Sequence, residues 1–242
     1  MTNTVYYAIG DVHGMAKSLV ALYALIAEDH RRRGGRATVI HLGDYVDRGP
    51  DSRQVIELAM GLERQAARRK DLSVYSLRGN HEQMLLDAYD SAHGTAEQHW
   101  MMNGGADALK SYTRAHGAVS GDWRPAIDAA HAEWMRALPT MLVDEQRKLV
   151  FVHAGIDPVT YPECKDEIRI WTRSVKFFDP ERWPDRPELE GIKVIHGHTP
   201  TPDFAPHTDE RRINVDTGAV YGGPLTCVVL APGEDKPVFL QV

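Results

Sequence analysis

Five apolar runs, rich in β-branched or aromatic residues, each end in a glycine-bracketed polar motif, and this pairing constrains the fold of the 242-residue chain more than any other feature. TVYYAI runs into GDVHG (Gly10 to Gly14), ATVIHL into GDYVDRG (Gly43 to Gly49) and LSVYSL into GNHE (Gly79 to Glu82). KLVFV likewise runs into HAG (His153 to Gly155), and KVIH into HGHT (His196 to Thr199). Runs of this kind read as buried strands. The glycines let the backbone turn and approach a metal or anion closely, and side chains on strand ends are held rigidly. The motifs are therefore strand-to-loop corners converging on one rim.

Between the first motifs the pattern turns helical. Met15, Leu19, Leu22, Tyr23 and Ile26 share one face of a 3.6-residue period, and a second helix follows an N-cap at Asp51 or Ser52, burying Val55, Ile56, Ala59 and Leu62. A motif spacing of roughly 30 residues suits strand, helix and parallel strand with a right-handed crossover. Ligands of such sheets gather outside the carboxyl ends of the strands, where these motifs fall. From about His93 to Pro139 the alternation stops and the chain reads as a helical cap, packed through Trp100, Met101, Tyr112, Ile127, Trp134, Met135 and Leu138. Within it, Asn103-Gly104-Gly105 reads as a simple loop, with a helix start near the cleft as the alternative. Tyr161 to Pro187 reads as a long loop over the site, of the kind that sets substrate choice.

The motif side chains are carboxylates, imidazoles and an amide. With no thiolate among them, they suit Mn, Fe, Zn, Co or Ni better than copper. An aspartate such as Asp44 can bridge two cations about 3.5 to 4 Å apart, the separation of two-metal phosphoryl-transfer sites.

At this point the residues carry a resemblance. From Val5 to about Gly223 the chain resembles the phosphoprotein phosphatase branch of the calcineurin-like metallophosphoesterases, especially its compact bacterial and phage members. The resemblance implies an α/β fold, a four-layer sandwich of two central mixed sheets flanked by helices. The strands Leu225 to Leu230 and Val238 to Val242 would finish the second sheet. It also implies two divalent cations, Mn foremost: Asp11, His13 and Asp44 on one, and Asp44, Asn80, His153 and His198 on the other. His198 is chosen over His196, which becomes a strand residue or one behind the ligands. Arg48 is assigned to phosphate oxygens, His81 to protonation of the leaving group, and Asp47 to the His81 imidazole. A second phosphate-binding arginine is expected at Arg173, with Arg169 as runner-up; Asn80 and Tyr221 also face substrate. The implied mechanism is in-line attack by a metal-bridging hydroxide, without a phospho-enzyme. Arginine suits the clamp because its planar fork matches phosphate geometry.

GDVHG, GNHE and HAG are each weak when read alone, since glycine and asparagine are ordinary turn formers and a histidine after a strand is commonly a core residue. GDYVDRG is longer and puts three charged side chains in one strand-end loop. The order of all five carries the reading. His30, His93, His99, His116, His131 and His207 have no motif context and default to surface or helix-face roles, and Asp216 reads as a turn residue or one behind the ligands.

The implied function is a metal-dependent phosphomonoesterase, a serine/threonine protein phosphatase with phosphotyrosine as a further substrate. The alternative is the symmetrical dinucleoside tetraphosphate hydrolase, whose members typically show alanine where Asp47 stands and GNHD where this chain has GNHE. A third reading, a catalytically silent phospho-recognition module, sits poorly with a complete ligand set.

One domain spanning 1–242 is expected, with the helical insertion at about 93–139. The start of the sequence lacks a secretory pattern, no apolar stretch nears the roughly 18 residues of a membrane helix, and Cys164 and Cys227 lack framework spacing. A cytoplasmic monomer is the expectation. A net charge of −6 argues against nucleic acid. The basic clusters Arg31 to Arg33 and Arg64 to Lys70 read as solvated helix ends. The expected partner is a phosphorylated protein or small phosphoester, with no membrane.

Overall fold

Alternation along the first strand sets the layering. In β1 (Thr4–Ile9), Val5, Tyr7 and Ile9 join a core against helices, while Ala8 and Tyr6 join one between two sheets. The computed structural model describes residues 4–91, 94–117, 121–234 and 236–242, with the His116 side chain left out. The chain continues through α1 (Ala16–Arg33), β2 (Arg36–His41), α2 (Ser52–Ala66), β3 (Leu72–Ser76) and α3 (Asn80–Asp90). Then come α4 (Gly94–Trp100), a kinked segment at Met101–Gly105, α5 (Ala106–His116) and α6 (Ala129–Ala137). The second half holds β4 (Met141–Asp144), β5 (Leu149–Val152), α7 (Asp166–Trp171), α8 (Val175–Phe178), β6 (Lys193–His196), β7 (His207–Thr208), β8 (Arg212–Asn214), β9 (Thr226–Leu230) and β10 (Val238–Gln241).

The strands form two five-stranded mixed sheets, ordered β10-β9-β1-β2-β3 and β4-β5-β6-β8-β7. Ala8, Ile40, Leu42, Leu77, Phe151 and Ile195 fill the space between them. Leu19, Leu22 and Ile26 of α1 and Val55, Ile56 and Ala59 of α2 cover the outer face of the first sheet, while Tyr161, Phe177 and Trp183 cover that of the second. This is the four-layer sandwich. Covering both faces of the central strands removes them from water, which explains the unbroken apolar runs there.

Three expectations need correction. β9 and β10 do not finish the second sheet; β9 pairs antiparallel with β1, Ile9 opposite Cys227, and β10 follows it. β1 sits mid-sheet with β2 on one side, so its other edge needs a partner to satisfy its backbone groups. Asn103-Gly104-Gly105 is a tight kink at which α4 gives way to α5, rather than a simple loop, with Asn103 and Gly104 leaving helical φ/ψ. The Tyr161 to Pro187 stretch is not all loop, because Ser174 and Asp179 cap α8 and a 3₁₀ turn within it.

Of the proposed packing residues, Trp100, Tyr112, Ile127, Met135 and Leu138 are buried, with Met101 and Trp134 partly so. Arg31 to Arg33 do close α1, and Asp29 takes hydrogen bonds from Arg32 and Arg33. Both cysteines are free and buried. Among the described residues no helix is long and apolar enough to cross a membrane.

Candidate metal centre

The carboxyl ends of β1, β2, β3, β5 and β6 meet at one edge of the sandwich, and they bring the motif side chains within reach of each other. Asp44 lies at the middle. Its Oδ2 is 3.4 Å from His13 Nε2 and its Oδ1 is 3.3 Å from His153 Nε2. Ligand atoms of His13, Asp44 and His81 lie within 4.8 Å of one another, as do those of Asp44, His153 and His198. Asn80 Oδ1 is 3.0 Å from His153 Nε2 and 2.8 Å from His198 Nδ1. One carboxylate thus faces two clusters with different oxygens, as a bridging ligand must.

Backbone contacts set the imidazole tautomers. His13 Nδ1 lies 2.8 Å from the Val46 carbonyl and His153 Nδ1 3.0 Å from that of Leu42, so both donate there and turn Nε2 inward. His198 Nε2 is buried without a hydrogen-bond partner. Toward the clusters His198 turns Nδ1, which converges with His153 Nε2 on Asn80 Oδ1 beside the Asp44 carboxylate, a donor set that fits a cation. His13, Asp44, Asp47, Arg48 and His198 all have positive φ, strain of about 1–3 kcal/mol each that concentrates at these motifs.

The electrostatics are those of crowded anions. Burial, then the neighbouring Asp216, holds Asp11 well above the usual carboxylate range. Burial also opposes charge on Asp44, but His153, His81 and His13 outweigh it and hold Asp44 well below that range. His153 is disfavoured by burial too, yet Asp44, Asp11 and Glu82 lift it to about 9. Burial foremost depresses His13 to about 3 and His198 to about 2, leaving neutral rings able to donate lone pairs. It also lowers His81 to about 4 and raises its partner Asp47 well above the usual carboxylate range, so one proton belongs to the hydrogen-bonded pair.

Asp11 stands slightly apart from His13: both its oxygens accept the His198 backbone N–H at 3.1 Å. His81 Nδ1 is 2.7 Å from Asp47 Oδ2, and Trp100 Nε1 donates to Asp47 Oδ1 at 2.8 Å. Arg48 Nη1 lies 2.7 Å from His13 Nε2, with its guanidinium 5.7 Å from the centre of the half-exposed Tyr221 ring. Arg173 is exposed, and its charge disfavours protonation of His81 and His198. Arg169 instead spends its guanidinium on Asp166, Thr140 and the Pro162 carbonyl.

His196 points away from the clusters, toward Arg212 at 3.3 Å. Asp216 accepts the Gly218 N–H at 3.1 Å in a turn behind Asp11. His131 is buried rather than superficial, 2.9 Å from Tyr112 Oη. His30 and His207 contact the Gly35 carbonyl and Asp209, and His99 stacks on Trp171; His93 and the His116 side chain lie outside the described residues.

Sequence reasoning missed Glu82. Its Oε1 accepts the N–H groups of Tyr45 and Val46 at 2.8 and 3.2 Å, and its Oε2 those of Asp44 and Gly79, both at 2.9 Å. The available signal was its place three residues into α3, from which a glutamate reaches back to the N-cap N–H, here that of Gly79. Glu82→Gln retains one good acceptor and turns an NH2 group toward two donors. Each buried group left unsatisfied costs about 1–3 kcal/mol, so this variant should lose about 2–4 kcal/mol in urea unfolding and bind metal more weakly. Unchanged unfolding would refute the hub role.

A family model described as calcineurin-like phosphoesterase matches residues 5–226, nearly the whole chain. The chain belongs to the calcineurin-like phosphoesterase family. It is a metallophosphoesterase, and the clustered donors are those of a binuclear divalent centre. The symmetrical bis(5'-nucleosyl)-tetraphosphatase of Klebsiella pneumoniae subsp. pneumoniae is 31% identical over 201 residues, 77% of this chain but 59% of that enzyme. The asymmetrical bis(5'-nucleosyl)-tetraphosphatase PrpE of Halalkalibacterium halodurans is 27% identical over 240 residues, covering 91% of this chain and 87% of that one. Serine/threonine-protein phosphatase 1 of Salmonella typhimurium is 29% identical over 235 residues, covering 91% and 89%. The crystal structure of a cold-active protein tyrosine phosphatase superposes with TM-score 0.63 at 17% identity, covering all of this chain and 80% of that one, a likeness of fold.

Proposed function

We propose that this metallophosphoesterase cleaves a phosphoanhydride bond of a dinucleoside tetraphosphate. The observation behind this is that relatives of both the symmetrical and the asymmetrical kind carry that name, the asymmetrical one aligning over 91% of this chain. Loops, more than the shared ligands, decide substrate. Exposed Arg173, half-buried Arg48 and the Tyr221 ring beside it suit a polyanion with an aromatic base.

In this reading Asp11, His13 and Asp44 hold one cation, and Asp44, Asn80, His153 and His198 the other, with Mn the first metal to test. Bound there, the pair would activate a water for in-line attack and offset charge on the phosphoryl oxygens. Arg48 and Arg173 orient the phosphoryl group, Asn80 lies against it, and Tyr221 borders the cleft. His81 is placed to hand a proton to a departing oxygen that needs one, an alkoxide more than a nucleotide phosphate, while Asp47 keeps the imidazole aligned. The chain works as one catalytic unit, with the helices of residues 94–137 as its cap.

A specific observation supports a second reading. The His81 and Asp47 pair, 2.7 Å apart and buried, suits a serine or threonine alkoxide, a poor leaving group that needs an acid more than an anhydride does. The Salmonella relative agrees with it. The protein phosphatase activity is therefore the alternative. Mn-loaded protein offered diadenosine tetraphosphate and a phosphothreonine peptide should prefer the nucleotide by about 100-fold in kcat/KM, or about 2.7 kcal/mol. Chromatography of the products would distinguish two ADP from ATP plus AMP. Preference for the peptide would overturn the nucleotide reading in favour of the second.

A further inference from the structure

The cap reaches Asp47 and Arg48 through the turn from Trp100 to Gly105. Asp47 and Arg48 are consecutive left-handed residues, with φ of 72° and 67°, in a conformation that side-chain-bearing residues hold only when their surroundings impose it. The Gly104 carbonyl accepts the Arg48 N–H at 3.2 Å, and Ser52 Oγ accepts the Asp47 N–H at 3.0 Å. Gly104 has φ of 102°, and a Cβ there would stand 2.7 Å from Arg48 N and 2.8 Å from Arg48 Cγ. A Cβ on Gly105 would stand 2.6 Å from the Trp100 indole, whose Nε1 donates to Asp47 Oδ1 at 2.8 Å. The kink is what lets α4 deliver the indole and the Gly104 carbonyl together, since Asn103 and Gly104 leave helical geometry there.

We propose that Trp100 and Gly104 are positioning residues, which clamp Asp47 and Arg48 in the geometry the reaction uses; this rests on the roles given above to Arg48 and His81. Gly104 acts on the arginine through its backbone. Trp100 acts on the imidazole through the Asp47 carboxylate, holding one oxygen so that the other faces His81 Nδ1. The two arms have separable signatures, because one bears on phosphate binding and the other on the leaving group.

The test uses Mn-loaded protein, inorganic phosphate as the binding probe, and p-nitrophenyl phosphate against an alkyl phosphate monoester as substrates, with metal content and melting temperature measured for each variant. Arg48→Ala serves as the benchmark. Gly104→Ala should weaken phosphate about 10-fold, most of the Arg48→Ala effect, with metal retained. Trp100→Phe keeps an aromatic ring but removes the donor. It should leave phosphate affinity unchanged and slow the alkyl ester about 10-fold more than the aryl one. If Gly104→Ala does not fold, the Trp100→Phe leaving-group ratio decides alone. A wild-type ratio for Trp100→Phe, or full phosphate affinity in folded Gly104→Ala beside a weakened Arg48→Ala, overturns the clamp and leaves the function standing. An Arg48→Ala variant with full phosphate affinity overturns the arginine's role, and the clamp with it.

Discussion

Asp44→Asn should abolish turnover and empty both cation sites while the protein stays folded. The reason is geometric. Asp44 sits at φ 54°, a left-handed conformation that asparagine tolerates well, and its N–H bond to Glu82 does not involve the side chain. What changes is the carboxylate: one oxygen becomes NH2, turned toward either His13 or His153, and the charge between the two clusters disappears. A loss of at least about 10³-fold in kcat/KM, equivalent to about 4 kcal/mol, is expected. Metal analysis of the purified variant should find far less than two ions per chain. A pH effect accompanies it in chelator-treated protein. Because His153 is raised to about 9 by Asp44 against burial, its charged form stabilises the wild type fully below the unfolded value near 6.5, and that contribution is lost as pH climbs through about 9. The variant, lacking the anion, should not show this decline in urea unfolding. A variant that keeps two ions and turns over at the parental rate would remove Asp44 from the centre.

His81→Asn should leave metal content unchanged and slow reaction according to the leaving group. Alkyl phosphate esters should lose about 10² to 10⁴ in rate, the usual worth of a positioned general acid, and p-nitrophenyl phosphate much less because its phenolate departs without a proton. A dinucleoside tetraphosphate, whose leaving group is a nucleotide phosphate, should sit near the aryl ester. The variant thereby also weighs the two substrate readings: a large loss on the nucleotide would mean that the buried His81 and Asp47 pair serves anhydride cleavage directly. Equal slowing of all three substrates would deny His81 the acid role.

Much of the architecture could be read locally. A β-branched run followed by Gly-Asp or Gly-Asn is a strand ending in a turn, and each such run became a strand whose last residues present the candidate ligands. The helical period of Leu19, Leu22 and Ile26 told which face of α1 is buried. Other features gave no local sign. Leu225 to Leu230 reads as a strand in either sheet, and only the open edge of β1 draws it to the first. Trp100 looked like a packing residue, and it is one, but its single polar atom reaches Asp47 across 53 positions of sequence. His131 carried no motif and is buried because Tyr112 lies opposite to receive it.

Sequence alone determined the chemical inventory: which donors exist, that they stand at strand ends, and that none is a thiolate. These follow from residue identity and from short-range backbone preference, both written in the chain. Tertiary structure decided which of Asp44's oxygens faces which histidine, that Glu82 gathers four backbone donors around the metal loop, and that the cap reaches the catalytic arginine through a kink between two helices. Those contacts join residues far apart in sequence, and their geometry exists only once the two sheets have packed and set the distance between the strand ends.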